Sequence, residues 1–156
     1  MRKKIIFFFL LFICYLFCKI CLVKDFTVEM FFMTDPRDAD VLELKNLLTY
    51  RQFKTKATWQ DSLGDYGDLN CLGSYTSLKD EGTFLKYFCR GANQNNDEFW
   101  LTLTRDSKDY DAGIGRTTYI SGTGRYQKLK GLKCNYGVKI LDNKNIGFVK
   151  QKCKFK

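Results

Sequence analysis

A chain of 156 residues, 45% apolar and 16% aromatic, fits one globular domain of ordinary composition. It contains no histidine, which removes the usual general base, Ser-His and Cys-His nucleophile pairs and histidine metal sites, so that any catalysis would rest on carboxylates. The net charge of +9 is uneven: from Arg125 onward ten Lys or Arg face the single acid Asp142, whereas residues 24 to 124 carry twelve basic and sixteen acidic groups. A basic C-terminal surface for an anionic partner and a solvated strand face blunted by lysines are both compatible with that bias.

In chain order, the first feature is Arg2-Lys3-Lys4 followed by an apolar run from Ile5 to Val23, interrupted only by Lys19. Residues 1–23 are therefore expected to be a helical export signal or an N-terminal membrane anchor, with the folded domain, residues 24–156, outside the cytoplasm, periplasmic or secreted. No small-residue pair marks a cleavage site. Cys14, Cys18 and Cys21 each follow a bulky residue, which disfavours a lipoprotein.

Beyond that segment the apolar period is mostly two. Strands are predicted at Phe26–Phe32, Phe53–Trp59, Asn70–Leu78, Gly82–Arg90, Glu98–Arg105 and Gly115–Ser121, with two more around Asp142–Asn145. The stretches between them are rich in turn-forming residues. Asp40 to Tyr50 reads either as a helix, through Val41, Leu44, Leu47 and Leu48, or as another strand. Short strands with short links predict an all-β fold, an antiparallel up-and-down barrel of about eight strands, with a sandwich as the other way to remove sheet edges.

Four cysteines remain after the leading segment: Cys71, Cys89, Cys134 and Cys153. In an oxidising compartment they are expected to form two disulfides. With Asp142–Asn145 as a four-residue loop, Leu141 meets Ile146 and counting outward sets Cys134 opposite Cys153. The same register gathers Leu132, Tyr136, Val138, Val149, Gln151 and Phe155 on one face and the lysines on the other. A hairpin centred on Asp80 sets Cys71 opposite Cys89, unless a bulge at Gly82 shifts the register. A zinc site is not expected, because no C-x-x-C occurs and histidine is absent. No cofactor is predicted.

The run Gly122-x-Gly124 resembles the start of a phosphate loop. It is followed by Gln127 and then by a strand, so it reads as a hairpin turn whose glycines supply positive φ. The longer stretch "AGIGRTTYISGTGRYQKLKG" is similar to a hairpin of the allene-oxide-cyclase and dirigent barrels. The spacing W-x-D-x-x-G-x-Y-G through the four cysteines resembles small exported bacterial proteins with barrels of this kind. The resemblance implies an eight-stranded barrel with a cavity for an apolar or aromatic molecule, and it carries over no catalytic residue.

Candidate sites are few. Asp61, Asp65 and Asp68 could form a calcium loop or an acid pair, but a solvated turn is the simpler reading. Phe99, Leu101 and Leu103 alternate with Trp100, Thr102 and Thr104, so Trp100 is expected on the outer surface as a contact residue. Trp59, Arg105, Arg116 and Tyr119 are candidate ligand-binding residues at a barrel mouth, with ordinary packing as the competing reading. Nucleic acid is not expected as a partner, since the C-terminal lysines lack interleaved aromatics. Three functions follow: a non-catalytic exported barrel binding a small apolar ligand or acting at the cell envelope, a cyclase- or isomerase-like enzyme, and a binder of anionic envelope material through the C-terminal strands.

Overall fold

The computed structural model describes residues 25–34, 39–108, 111–141 and 145–155. The expected export segment and the tip of the last turn, residues 142–144, lie outside them. Among the described residues no helix is long and apolar enough to cross a membrane.

Nine strands form: β1 (Phe26–Thr34), β2 (Asp40–Leu44), β3 (Leu48–Asp61), β4 (Tyr66–Leu78), β5 (Gly82–Asn93), β6 (Glu98–Ser107), β7 (Ala112–Gly122), β8 (Lys133–Ile140) and β9 (Ile146–Cys153). Their order is β1-β9-β8-β7-β6-β5-β4-β3-β2, and β1 also pairs with β3. That pairing closes β1 and β3–β9 into an eight-stranded antiparallel barrel, which removes its edges. The extra strand, β2, lies on the same edge of β3 as β1: Thr34 faces Thr55 and Asp40 faces Gln52.

Asp40–Tyr50 is thus a hairpin and not a helix. Asn46 takes a left-handed conformation (φ 60°) at its turn, a region that asparagine tolerates. The eight barrel strands fall where period two predicts them, but several run longer. β3 begins five residues before Phe53 because Leu48–Gln52 pairs with β2, away from the core that imposes alternation. From Phe53 to Trp59 the alternation is strict, with Phe53, Thr55, Ala57 and Trp59 buried and the residues between exposed.

Side chains pointing inward build the core, and aromatic rings fit inside so small a barrel by lying over glycines. Gly73 faces Tyr87, Gly91 faces Phe99, Gly115 faces Tyr136 and Gly147 faces Phe32. A Cβ on any of these four glycines would run into the opposing ring. Such cross-strand glycine–aromatic pairs anchor register by packing.

Both disulfides form as the hairpin registers require, and both lie inside the barrel. Cys71 faces Cys89 with Cα atoms 4.1 Å apart, and Cys134 faces Cys153 at 4.3 Å, the spacing of non-hydrogen-bonded antiparallel pairs. No bulge shifts the Asp80 hairpin, where Leu78 meets Gly82. Two buried disulfides fit an oxidising compartment.

The Gly122-x-Gly124 stretch departs from a tight hairpin turn. Gly122 ends β7, and Gly124–Leu129 forms a 3-10 helix that drives Tyr126 and Leu129 into the core. Gly124 has positive φ (48°) and Gly122 does not. Gly122 is small for a packing reason, since a Cβ there would lie 2.6 Å from Tyr126 Cβ.

A candidate ligand cavity at one end of the barrel

The two ends of the barrel are built differently. At the end carrying the 3-10 helix, Trp59, Phe99, Tyr119 and Tyr126 are all buried. Trp59 and Phe99 meet edge to face at 5.2 Å between ring centres and Phe99 and Tyr126 at 5.1 Å, while Phe99 and Tyr119 lie tilted at 5.7 Å. Trp59 Nε1 donates to the Asp68 carbonyl at 3.0 Å.

Asp65 seals this end. It is 4% exposed, and its carboxylate accepts from Tyr126 Oη (2.6 Å), Gln94 Nε2 (3.0 Å) and Asn93 Nδ2 (3.2 Å) and pairs with Arg125 at 2.9 Å. Burial alone would raise its pKa. The three hydrogen bonds and the Arg125 charge outweigh that and hold the carboxyl below its ordinary value. The Tyr126 phenol moves the opposite way, raised by burial and by donating to a carboxylate.

Asp65 is therefore no part of a solvated acidic turn, and the three aspartates do not converge. Asp61 accepts from the backbone N–H of Leu63 and Asp65, at 2.8 and 3.0 Å, while Asp68 accepts from Asn70 Nδ2 at 2.8 Å. No group of carboxylates, cysteines and histidines able to hold a metal occurs among the described residues.

A polar bridge separates the ends. Thr117 Oγ1 donates to Gln151 Oε1 (2.7 Å) and Gln151 Nε2 donates to Tyr119 Oη (3.0 Å), all three residues being buried. Gln151 thus keeps its inward place opposite Tyr136 because its amide is satisfied on both sides.

Beyond it lies a cavity of about 70 Å³. Its wall is mostly apolar, formed by Met30, Ala57, Leu69, Leu85, Leu103 and Val149, with half-buried Phe32, Thr34, Val138 and Ile140 at the rim. Five polar side chains line it: Thr34, Thr55, Tyr87, Arg105 and Tyr136. Arg105, only 3% exposed, runs across Gly113, where a Cβ would lie 3.2 Å from Arg105 Cδ. The Tyr136 hydroxyl donates to the Thr104 carbonyl at 3.3 Å; its phenol pKa is raised by burial, against a smaller pull from the Arg105 charge. The Tyr87 hydroxyl accepts from Thr55 Oγ1 at 3.2 Å.

Of the five candidate ligand residues, only Arg105 lines this cavity. Trp59 and Tyr119 pack in the closed end, Arg116 is exposed on the outer face, and Trp100 is half-buried on the outer face. Arg105 carries an inward phase already visible in the alternation Phe99, Leu101, Leu103. Tyr136 and Val138 share the face predicted to be apolar. Tyr87, Met30 and Phe32 were not singled out, since nothing local separates a cavity-lining apolar residue from any other inward one.

These features define a class: an antiparallel eight-stranded barrel with one end packed solid and a small, largely apolar cavity at the other. No protein-family model matches the chain, and no curated protein matches it. Three chains of solved structures do. One is the structure of the pterocarpan synthase dirigent protein, with TM-score 0.49 and 14% identity over 84% of this chain and 86% of that one.

Proposed function

We propose that the protein is an exported, non-catalytic barrel that binds a small apolar molecule in its open-end cavity. The observation that carries this reading is the contrast within the interior: rings and a satisfied carboxylate fill one end, while the other keeps a mostly apolar space with a few polar groups on its wall. A binding site of that kind takes its affinity from apolar burial and its orientation from the polar groups. Here Arg105, Tyr87 and Tyr136 are the orienting residues.

The volume of about 70 Å³ corresponds to roughly five waters. The ligand is therefore small, or it leaves part of itself outside the rim. Conversion of the ligand is less well supported than binding. An acid–base step without histidine would fall to a carboxylate or a tyrosine; Asp65 sits at the other end, and the Tyr136 phenol at the cavity is held protonated by burial and already donates to the Thr104 carbonyl. Export rests on the apolar segment at 5–23 and agrees with the disulfides.

The test is titration with a neutral apolar probe such as 2-naphthol, alongside mass spectrometry of solvent extracts of protein purified from its own host. Saturable binding that drops at least tenfold in Ala57→Phe, whose ring would occupy the cavity, is the expected result. Equal binding by that variant, with empty extracts, would sink the proposal.

A further inference from the structure

The barrel's outer surface is not uniform. On the β8–β9–β1 face two of the lysines are matched: Lys150 pairs with Glu29 at 2.9 Å and Lys152 with Asp25 at 2.6 Å. Hydrogen bonds from those lysines hold both carboxyls below their ordinary range. The C-terminal charge bias is thereby partly cancelled by the strand that β9 pairs with.

The opposite face, across β3–β7, sets its cations around a group of exposed apolar side chains. Leu72, Phe88 and Ile120 are 61%, 54% and 44% exposed, and half-buried Trp100 lies beside them. With Lys54, Lys56 and Arg90 they surround an open depression of about 380 Å³. The register makes the group continuous: Lys54 faces Leu72, Leu72 faces Phe88, and Arg90 faces Trp100. Arg90 is taken by Glu98. Lys54, Lys56 and Lys86 have no carboxylate partner among the described residues, and Lys86 Nζ stands 5.1 Å from the centre of the Phe88 ring.

We propose that this face docks on an anionic lipid bilayer, with Leu72, Phe88, Trp100 and Ile120 entering the interfacial layer and Lys54, Lys56 and Lys86 among the headgroup phosphates. Unmatched cations call for an anionic partner. The apolar residues choose among anionic partners: Leu72 and Ile120 offer no ring for a base or sugar to stack on, whereas a membrane interface buries them together with the rings. Lysines flanking such a patch keep their ammonium groups at headgroup level while their stems cover apolar surface. Each lysine at an anionic surface is worth about fivefold in binding.

Trp100 reports on this face directly, because the other of the two tryptophans, Trp59, is 4% exposed in the core. The full chain is mixed with vesicles of phosphatidylcholine alone, or of equal parts phosphatidylcholine and phosphatidylglycerol, carrying brominated acyl chains. Residues 1–23 bring the basic Arg2-Lys3-Lys4 of their own, so assignment of the signal to this face rests on the paired lysine and serine variants, which leave that segment intact. Quenching on the anionic vesicles alone, weakening with salt, is the expected result. Lys54→Gln with Lys56→Gln is expected to weaken it about 25-fold. Leu72→Ser with Phe88→Ser is expected to abolish it while leaving the unfolding midpoint in place. No quenching on anionic vesicles, quenching unchanged in the serine variant, or an equal Trp100 response to an anionic polysaccharide or oligonucleotide would overturn the proposal.

Discussion

The closed and open ends of this barrel are made from the same strands, yet they follow opposite rules. At the closed end each polar atom of Asp65 has a donor and each ring has a ring beside it. At the open end the walls are apolar and leave a space of about 70 Å³. One end holds the barrel shut, and the other keeps an unfilled interior space. Interiors are close-packed as a rule, and the gap at one end is the space that the proposed ligand would fill.

The contrast is broken most strongly at the closed end. Trp59→Ala is expected to cost about 4 kcal/mol in denaturant unfolding, through lost burial and the cavity left behind. Asp65→Ala should cost about 2–4 kcal/mol, because the buried donors of Tyr126 and Asn93 lose their acceptor, while Arg125 and Gln94 can turn to solvent.

Asp65 also sets an acid response. Its folded pKa lies below the ordinary 3.8, so the stability it adds is complete above the unfolded value and is lost as pH falls through the folded one. Unfolding midpoints measured down through that window should fall further for the parent than for Asp65→Asn.

Next come the disulfides. Each closes a loop with a sequence separation of 18 or 19, and replacing either pair by alanines should cost about 3 kcal/mol. Peptide mapping without reduction should link the Cys134 peptide to the Cys153 peptide.

The open end should behave differently. Ala57→Leu adds volume where space already exists, so stability should stay within about 1 kcal/mol of the parent while affinity for an apolar probe falls. If it instead destabilises as much as Trp59→Ala, the two ends are alike and the distinction fails. Smallest of all is Lys150→Ala, which removes an exposed pair with Glu29 and should leave the unfolding midpoint unchanged.

The strands and both disulfide registers were legible locally, because side-chain period and turn length act over a few residues. The alternation through Phe99, Leu101 and Leu103 even points Arg105 inward. The helical spacing of Val41, Leu44, Leu47 and Leu48 competed with a strand reading, and pairing with β3 decided it. Asp65 looks like a solvated turn residue in sequence because its four partners come from positions 93, 94, 125 and 126, far along the chain. The Gly122-x-Gly124 segment misled in the same way: its outcome depends on where Tyr126 finds a pocket among Trp59 and Phe99.

By itself, then, the sequence determined an all-β chain, its strand positions and which cysteines meet, since alternation and hairpin counting need no distant information. Only closure of the barrel decided which inward residues share an end. Trp59 and Tyr119 went to the packed end and Arg105 to the cavity wall, whereas the outward place of Trp100 already followed from its strand phase. A strand's phase says in or out, but its height in the barrel is set by the pairing registers added around the whole ring and fixed by closure of β1 on β3, which no single local pattern contains.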